Sequence, residues 1–424
     1  MAILLEHVTA VTMDRKTPVI QDAYVAVEGT KIASVGTEPP EGTFDRVVDG
    51  AGKVLLPGFV NAHTHLPMTL MRGYGGGCDL HTWLNQYIFP AEARLDSRAV
   101  AAGAGLGLAE MIASGVTCVA DMYMHTGTIA EQILEAGISA NLSCGGVYFG
   151  APEDFSPETC GDCRNQAALT EEWHGAGAGQ ILVDASVHGE YTSNPPLWRW
   201  MAEYAAEHRL GMHVHVSETQ SEHQASLERW GKTPIQALDG CGVWDCGRSL
   251  AAHCVYTTEE DWALMAEKGI SCVHNPWSNL KLGSGVAPIP AMMRAGVNVA
   301  LGTDGMSSHN SADLFSDIKL AAVLHNGVER DPMAVNAWAA LEMATVNGAR
   351  ALGRDTGVIA PGKTADLILV DLSAPNLIPC HDPVEDLVFS AHGSNVEMNM
   401  ARGQVIYEKG SFLTLDLERV RWEV

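Results

Sequence analysis

The chain has 424 residues, of which 46% are hydrophobic and only 18% are charged. This length and composition exclude a disordered protein and allow one large barrel beside a smaller module. Acidic side chains outnumber basic ones by 51 to 26, a formal net charge of −25, so nucleic-acid polymers and anionic membrane surfaces are not expected partners.

The N-terminal sequence MAILLEHVTAVTMD alternates like a β-strand and lacks the basic start of a secretory signal. No apolar run reaches the length of about 18 residues that a membrane span needs, so a cytoplasmic protein is expected. The ten cysteines are scattered, mostly in apolar runs, as reduced core thiols are. Cys160 and Cys163 form a CGDC motif, but without a second pair or a thioredoxin-like context it predicts no function.

Both ends of the chain predict β-structure. In residues 1–57, YVAVEGTKIASVG alternates around a turn at Glu28-Gly29, and VVDGAGKVLLPG follows with a second turn. From about Val358 onward, GKTADLILVDL and GQVIYEKG are predicted strands that are bounded by glycines in the same way. We therefore predict that residues 1–57 and 358–424 meet in one small β-sandwich module, which carries no chemistry and packs against the rest of the chain.

Residues 58–357 alternate between short apolar strands and helical patterns, such as 99–114 and 195–210. Eight candidate strands in this order predict an α/β fold, a (β/α)8 TIM-type barrel that forms the catalytic domain. Catalytic groups of such barrels lie at the C-terminal ends of the strands. The polar residues at those ends are His63, His65, Asp121, His188, His215, His253, His274 and Asp304.

Two His-x-His motifs predict a metal site. Residues i and i+2 of a strand point to the same side, so His63 and His65 can bind one ion. A second motif contains His213 and His215, and Asp304 in ALGTDG adds a carboxylate. Three imidazoles and one carboxylate suit a divalent ion, zinc first, although Fe²⁺, Mn²⁺ and Ni²⁺ accept the same donors. Spacing alone does not choose between the two histidines of the second motif.

Glu218 is the predicted general acid and base. It follows His215 by three residues, where the strand ends and its side chain can turn towards the ion. A divalent ion lowers the pKa of a bound water from 15.7 to roughly 7, and a neighbouring carboxylate must then carry protons.

The motifs PGFVNAHTH, HVHVSE, LAAHC and GTDG, in this order, resemble the amidohydrolase superfamily over essentially the whole chain. Three further stretches resemble the deaminases of 5′-methylthioadenosine and S-adenosylhomocysteine: MTLMRGYGGGCDLHTWLNQYIFPAEARL, SVHGEYTS and HNPWSNLKLGSGVAPI. The resemblance implies hydrolytic removal of the amine from the adenine ring of a small nucleoside, by an enzyme whose relatives commonly form homo-oligomers.

Two alternatives remain open at this point. A deaminase or chlorohydrolase of another N-heterocycle, such as guanine, an oxopurine, a pterin or an s-triazine, shares the metal ligands and differs in its pocket. A non-catalytic scaffold of the same fold typically loses metal ligands, whereas every ligand position is filled here.

The resemblance also implies roles for individual residues. The implied metal ligands are His63, His65, His215 and Asp304. The family motif places the ligand three residues before the glutamate, which selects His215 over His213. Glu218 is implied to protonate the ring nitrogen and the leaving amine, and Asp304 to accept a proton from the attacking water. His253 is implied to hydrogen-bond the attacking oxygen or the developing charge.

The resemblance implies three substrate contacts. Glu92 is implied to bind the ribose hydroxyls, Trp83 to form a wall of the same pocket, and His188 to contact the substrate. Enzymes of the subgroup that act on S-adenosylhomocysteine need a cation for its carboxylate. Cys144 stands where an arginine is often found, and Arg164 lies near a second such position. A thiol cannot pair with a carboxylate as a guanidinium does, so we predict a preference for small uncharged 5′ substituents, with Arg164 as the alternative carboxylate partner. No role is predicted for Asp121, His274 or His309.

Overall fold

The structure is a computed structural model that describes all 424 residues. It contains nineteen strands and eighteen α-helices. The strands are β1 (Ala2–Val11), β2 (Val19–Glu28), β3 (Lys31–Gly36), β4 (Arg46–Asp49), β5 (Lys53–Pro57), β6 (Phe59–His65), β7 (Val116–Met122), β8 (Ser139–Ser143), β9 (Ile181–Val183), β10 (Ala185–Gly189), β11 (Met212–Val216), β12 (Ser249–His253), β13 (Ile270–His274), β14 (Val299–Leu301), β15 (Asp304–Gly305), β16 (Leu367–Asp371), β17 (Val396–Ala401), β18 (Gln404–Glu408) and β19 (Ser411–Phe412).

The helices are α1 (Leu80–Trp83), α2 (Phe89–Glu92), α3 (Ser97–Ala113), α4 (Thr126–Ala136), α5 (Gly161–Trp173), α6 (Ala176–Gly179), α7 (Pro195–His208), α8 (Gln220–Trp230), α9 (Pro234–Asp239), α10 (Glu259–Lys268), α11 (Pro276–Lys281), α12 (Ile289–Arg294), α13 (Met306–His309), α14 (Leu314–Glu329), α15 (Ala337–Ala344), α16 (Val346–Leu352), α17 (Pro383–Phe389) and α18 (Leu417–Glu423). None of them combines the length and the apolar character that a membrane-crossing helix requires.

Strands from both ends of the chain form one nine-stranded sheet. Its order is β19-β18-β17-β16-β5-β1-β2-β3, and β4 pairs with β1. The two termini join where β5 and β16 run antiparallel, with Leu55 opposite Leu369. Alternate apolar side chains of the sheet, including Leu5, Val25 and Met398, form a separate buried cluster. The sheet agrees with the predicted sandwich module, while its division from the barrel at residues 57 and 358 stays a prediction.

Ten short parallel strands enclose the central barrel in two five-stranded sheets, β15-β6-β7-β8-β9 and β10-β11-β12-β13-β14. Only Asp184 separates β9 from β10, and two residues separate β14 from β15. Each of these pairs therefore forms one interrupted barrel strand, and the barrel has eight strands in all. The predicted (β/α)8 fold is therefore confirmed. One seam closes where Asp304 lies opposite Thr64 and Gly305 opposite His65, and the other where Gly146 bridges Val187.

Gly302, just before β15, allows this closure. A β-carbon at this position would lie 2.5 Å from Oδ1 of Asn275 and 2.8 Å from the carbonyl oxygen of His63. Any larger residue would push β15 away from β6. The glycine of the GTDG motif thus lets the backbone bring Asp304 beside the first histidine pair.

Asn399 connects the terminal sheet to the barrel. Its Nδ2 donates to the carbonyl oxygens of Ile112 at 2.9 Å and Val116 at 3.0 Å, which flank the turn between α3 and β7. Because both acceptors are buried, we expect Asn399→Ala to lower the free energy of unfolding by about 1–3 kcal/mol. Urea titration measures the change, with the exposed Asn85→Ala as the matched control. A loss below about 0.5 kcal/mol would show that these bonds contribute little to stability.

Candidate active site

Four predicted ligands converge at the C-terminal end of the barrel. His63 and His65 lie at the end of β6, His215 is the second-to-last residue of β11, and Asp304 begins β15. Oδ1 of Asp304 lies 3.2 Å from Nε2 of His65 and 3.5 Å from Nε2 of His63. Nε2 of His215 is 3.3 Å from Nε2 of His65. Donor atoms this close, from side chains that are almost completely buried, form a potential metal site.

Backbone carbonyls orient two of these imidazoles. Nδ1 of His65 donates to the carbonyl oxygen of Met122 at 2.5 Å, and Nδ1 of His215 donates to that of His188 at 2.6 Å. With the proton on Nδ1, the lone pair is on Nε2, which faces the other ligands. Burial holds the pKa of His63 and His215 well below the usual value, which keeps both rings neutral. Neutral imidazole is the form that binds a metal ion.

His63 provides the test of whether this set fits a cation. Its Nδ1 lies 2.8 Å from Nε2 of His213, but its buried Nε2 has no hydrogen-bond partner. An orphaned buried nitrogen is costly unless another group satisfies it, and a divalent cation among the four ligands would do so. The same contact places His213 behind His63, on the side away from Asp304.

Two serines position the carboxylate of Asp304. Oγ of Ser278 donates to Oδ2 at 2.6 Å, and Oγ of Ser308 donates to the same oxygen at 2.9 Å. Oδ1 is therefore left for the histidines. Burial opposes ionisation of Asp304, but the neighbouring imidazoles of His63 and His65 hold its pKa well below the usual value. Ser278 lies in the stretch HNPWSNLKLGSGVAPI, although no role was predicted for it, and Ser308 lies in none of the quoted motifs.

Glu218 lies beside the ligand set on the loop that follows β11. Its Oε2 is 3.7 Å from Nε2 of His253, and its Oε1 lies 3.5 Å from Oγ of Ser284. The side chain is almost completely buried, and burial raises the pKa of Glu218 above its usual value. A raised pKa suits a carboxyl group that has to take up and release a proton near neutral pH.

Glu222 holds this loop in place and was not identified from the sequence. Its two carboxylate oxygens accept the backbone N–H groups of Ser217 at 2.8 Å and Glu218 at 2.7 Å. Burial raises the pKa of Glu222 to about 8. Ser217 has a positive φ of 50°, so the chain turns sharply at the end of β11 and directs Glu218 inward.

A cavity of about 300 Å³ opens onto these groups. The predicted site residues that line it are His65, Trp83, Glu92, His188, His215, Glu218, His253 and Asp304. Trp83 is buried, and its indole N–H donates to the carbonyl oxygen of Tyr74 at 3.3 Å. Burial raises the pKa of Glu92. Nδ1 of His253 lies 2.8 Å from Oδ1 of Asn279, which leaves its Nε2 facing the cavity.

The structure does not bring Arg164 to this cavity. Its side chain is exposed on α5, and Nη1 donates to the carbonyl oxygen of Glu158 at 2.8 Å. The guanidinium is satisfied by the loop before the helix, because the first turn of α5 directs it outward. Cys144 does line the cavity, together with Asp162, an acidic residue that the sequence analysis did not select. The position of Asp162 within CGDCRN is the only sequence signal that could have drawn attention to this residue.

The three polar residues without a predicted role make structural contacts. His274 and His325 share a contact of 3.0 Å between their Nε2 atoms, and His309 lies 2.7 Å from Asp317. Asp121 accepts a backbone N–H just after β6 at 2.6 Å, and burial raises its pKa to about 7. None of them lines the cavity that contains Glu218. All ten cysteines, including the CGDC pair, are free thiols.

A (β/α)8 barrel with histidines and a carboxylate gathered at the C-terminal ends of its strands defines a class of barrel hydrolases. The chain belongs to the amidohydrolase family, whose model matches residues 54–406. The 5-methylthioadenosine/S-adenosylhomocysteine deaminase of Caldanaerobacter subterraneus subsp. tengcongensis is 40% identical, covering 100% of this chain and 97% of that relative. The 5′-deoxyadenosine deaminase of Methanosarcina mazei is 39% identical, covering 99% and 95%.

Among solved structures, the chain is similar to an adenosine deaminase from Xanthomonas campestris with bound zinc. The TM-score is 0.92 and the identity 33%, over 99% of this chain and 96% of that one. Together with the family match, these similarities make this chain a hydrolytic deaminase that acts on C–N bonds.

Proposed function

We propose that this protein is a zinc-dependent deaminase of adenine nucleosides, such as 5′-methylthioadenosine, 5′-deoxyadenosine or adenosine. The observation that carries this proposal is that one cavity is lined by members of the ligand set and by Glu218. Its volume of about 300 Å³ is that of a small-molecule site. The names of the two relatives support the adenine nucleoside, and the zinc in the Xanthomonas structure supports the metal.

The residues that would hold the ion are His63, His65, His215 and Asp304. A divalent cation at this position would supply Lewis-acid activation of a water molecule and of the bond that it attacks. Zinc suits three imidazoles and one carboxylate, although Fe²⁺, Mn²⁺ and Ni²⁺ take the same donors.

The chain's own residues move the protons. Oδ1 of Asp304 accepts one proton from the attacking water, while Glu218 delivers a proton to the ring nitrogen next to C6. In its doubly protonated form, His253 donates from Nδ1 to Asn279 and from Nε2 to the attacking oxygen as charge develops there. Glu218 next takes up the remaining proton of the attacking oxygen and passes it to the amine, so that the C6–N bond breaks, ammonia leaves and a carbonyl replaces it at C6. The proton held by Asp304 then returns Glu218 to its protonated starting state. A raised pKa of Glu218 favours this repeated uptake and release.

The remaining lining residues would hold the nucleoside. Glu92 accepts hydrogen bonds from the ribose hydroxyls, and the buried face of Trp83 forms a wall beside it. His188 also lines the cavity, and its Nδ1 contacts Thr192 at 3.1 Å, which leaves Nε2 for the substrate. A hydroxyl-binding carboxylate rejects bases that lack the ribose, because its charge would then be buried unpaired.

Ammonia release from a panel of compounds tests this function. We expect kcat/KM for 5′-deoxyadenosine, 5′-methylthioadenosine and adenosine to exceed that for guanine, a pterin and an s-triazine by about 100-fold or more. A pterin or triazine as the best substrate would contradict the nucleoside assignment. No turnover of any compound by metal-loaded protein would favour the non-catalytic scaffold.

A further inference from the structure

A part of the cavity away from the ligand set contains an acidic side chain with no cation beside it. Asp162, in the first turn of α5, lines the cavity together with Cys144, Gly145 and Val147, which follow β8. Its Oδ2 accepts the backbone N–H of Val147 at 2.8 Å, and its Oδ1 lies 3.4 Å from Nδ2 of Asn165. Both partners are neutral, so no cationic side chain compensates the charge of this carboxylate.

No lysine or arginine is among the residues that line the cavity, whereas four carboxyl groups are: Glu92, Asp162, Glu218 and Asp304. Arg164, two residues from Asp162, points away to Glu158. Burial raises the pKa of Asp162, and no cationic side chain contributes to lower it. A carboxylate on a bound substrate would find no charged partner here and would lose its hydration, which is costly.

The cavity continues past this residue. A second cavity, of about 450 Å³, shares Met124, Cys144 and Asp162 with the first. Its other lining residues include Glu172 and Trp173 of α5 and the first turn of α4, and none is a lysine or arginine. A substrate group that extends from the first cavity into the second must therefore pass Asp162.

We propose that Asp162 selects the 5′ substituent of the nucleoside by charge, favouring an ammonium group and disfavouring a carboxylate. This inference rests on the proposed function, because it requires a nucleoside whose base lies at the ligand set and whose 5′ end extends towards α5. An ammonium group within about 6 Å of a half-buried carboxylate gains Coulomb energy that a carboxylate at the same place would lose.

The test uses two 5′-thioether adenosines of equal chain length, one ending in an amine and the other in a carboxylate, beside neutral 5′-deoxyadenosine. The assay is run at about pH 8, where Asp162 and the substrate carboxylate are ionised and the substrate amine is protonated. Under these conditions we expect wild-type kcat/KM to be at least about tenfold higher for the amine substrate than for the carboxylate substrate. Asp162→Asn preserves an acceptor for the N–H of Val147 but removes the charge. It should lower the amine-to-carboxylate ratio by about tenfold or more. Glu171→Gln removes a charge from the exposed face of the same helix and should leave the ratio unchanged.

Each remaining outcome decides the question. Wild-type protein that deaminates 5′-deoxyadenosine but handles the carboxylate substrate as well as the amine overturns the role of Asp162, even if the variant fails to fold. An unchanged ratio in folded Asp162→Asn overturns it as well. No deamination of any nucleoside overturns the proposed function itself.

Discussion

Glu218→Gln is expected to lower kcat by about 10²–10⁴-fold while the metal stays bound. Glutamine keeps the size of the side chain and can still contact Ser284, but it cannot deliver a proton to the ring or to the leaving amine. The four ligand atoms and the carbonyls that orient His65 and His215 are untouched by the change. Steady-state deamination of 5′-deoxyadenosine, with metal content measured on the same preparation, gives both quantities.

Glu228→Gln is a suitable control for this measurement, because that glutamate is exposed on α8, ten residues further along the chain. It should retain wild-type kcat and metal content. If Glu218→Gln also retained near-full turnover with its metal in place, Glu218 would not be the proton shuttle. A loss of metal in Glu218→Gln would instead make it part of the ion's environment.

Asp304→Ala and His215→Ala should each lose both bound metal and turnover. His213→Ala should lose less of both. Asp304 and His215 direct Oδ1 and Nε2 to the centre of the ligand set, while His213 only contacts His63 from behind. Loss of a group that supports a ligand typically costs about 10–100-fold in metal affinity, and loss of a ligand costs more. Metal content of proteins purified without chelator, followed by zinc titration, ranks the three variants.

If His213→Ala lost its metal while His215→Ala kept it, His213 rather than His215 would be the metal ligand. Wild-type protein that holds less than about a tenth of an equivalent, and gains none on addition of zinc, would contradict the metal site altogether. Because His63→Ala removes the orphaned nitrogen, it should behave like Asp304→Ala and serves as a positive control.

The sequence by itself determined the barrel and the positions of its site residues along the chain. Apolar segments of regular spacing predict parallel barrel strands. Because the strands are parallel, their C-terminal ends meet at one edge of the barrel. Period-two alternation brings His63 and His65 to one face, and Glu218 follows from its place just beyond a strand. These features depend on local geometry, which a short stretch of chain specifies without knowledge of its neighbours.

Only the tertiary structure decided which side chains complete the site. Ser278 and Ser308 reach Asp304, and Glu222 holds the loop of Glu218, through contacts that no periodic pattern specifies. Asp162 and Arg164 lie two residues apart at the start of one helix, yet the first lines the cavity and the second faces solvent. Side-chain directions at loops and helix ends are set by packing against distant segments, so the charge of the substrate pocket emerges only when the barrel closes.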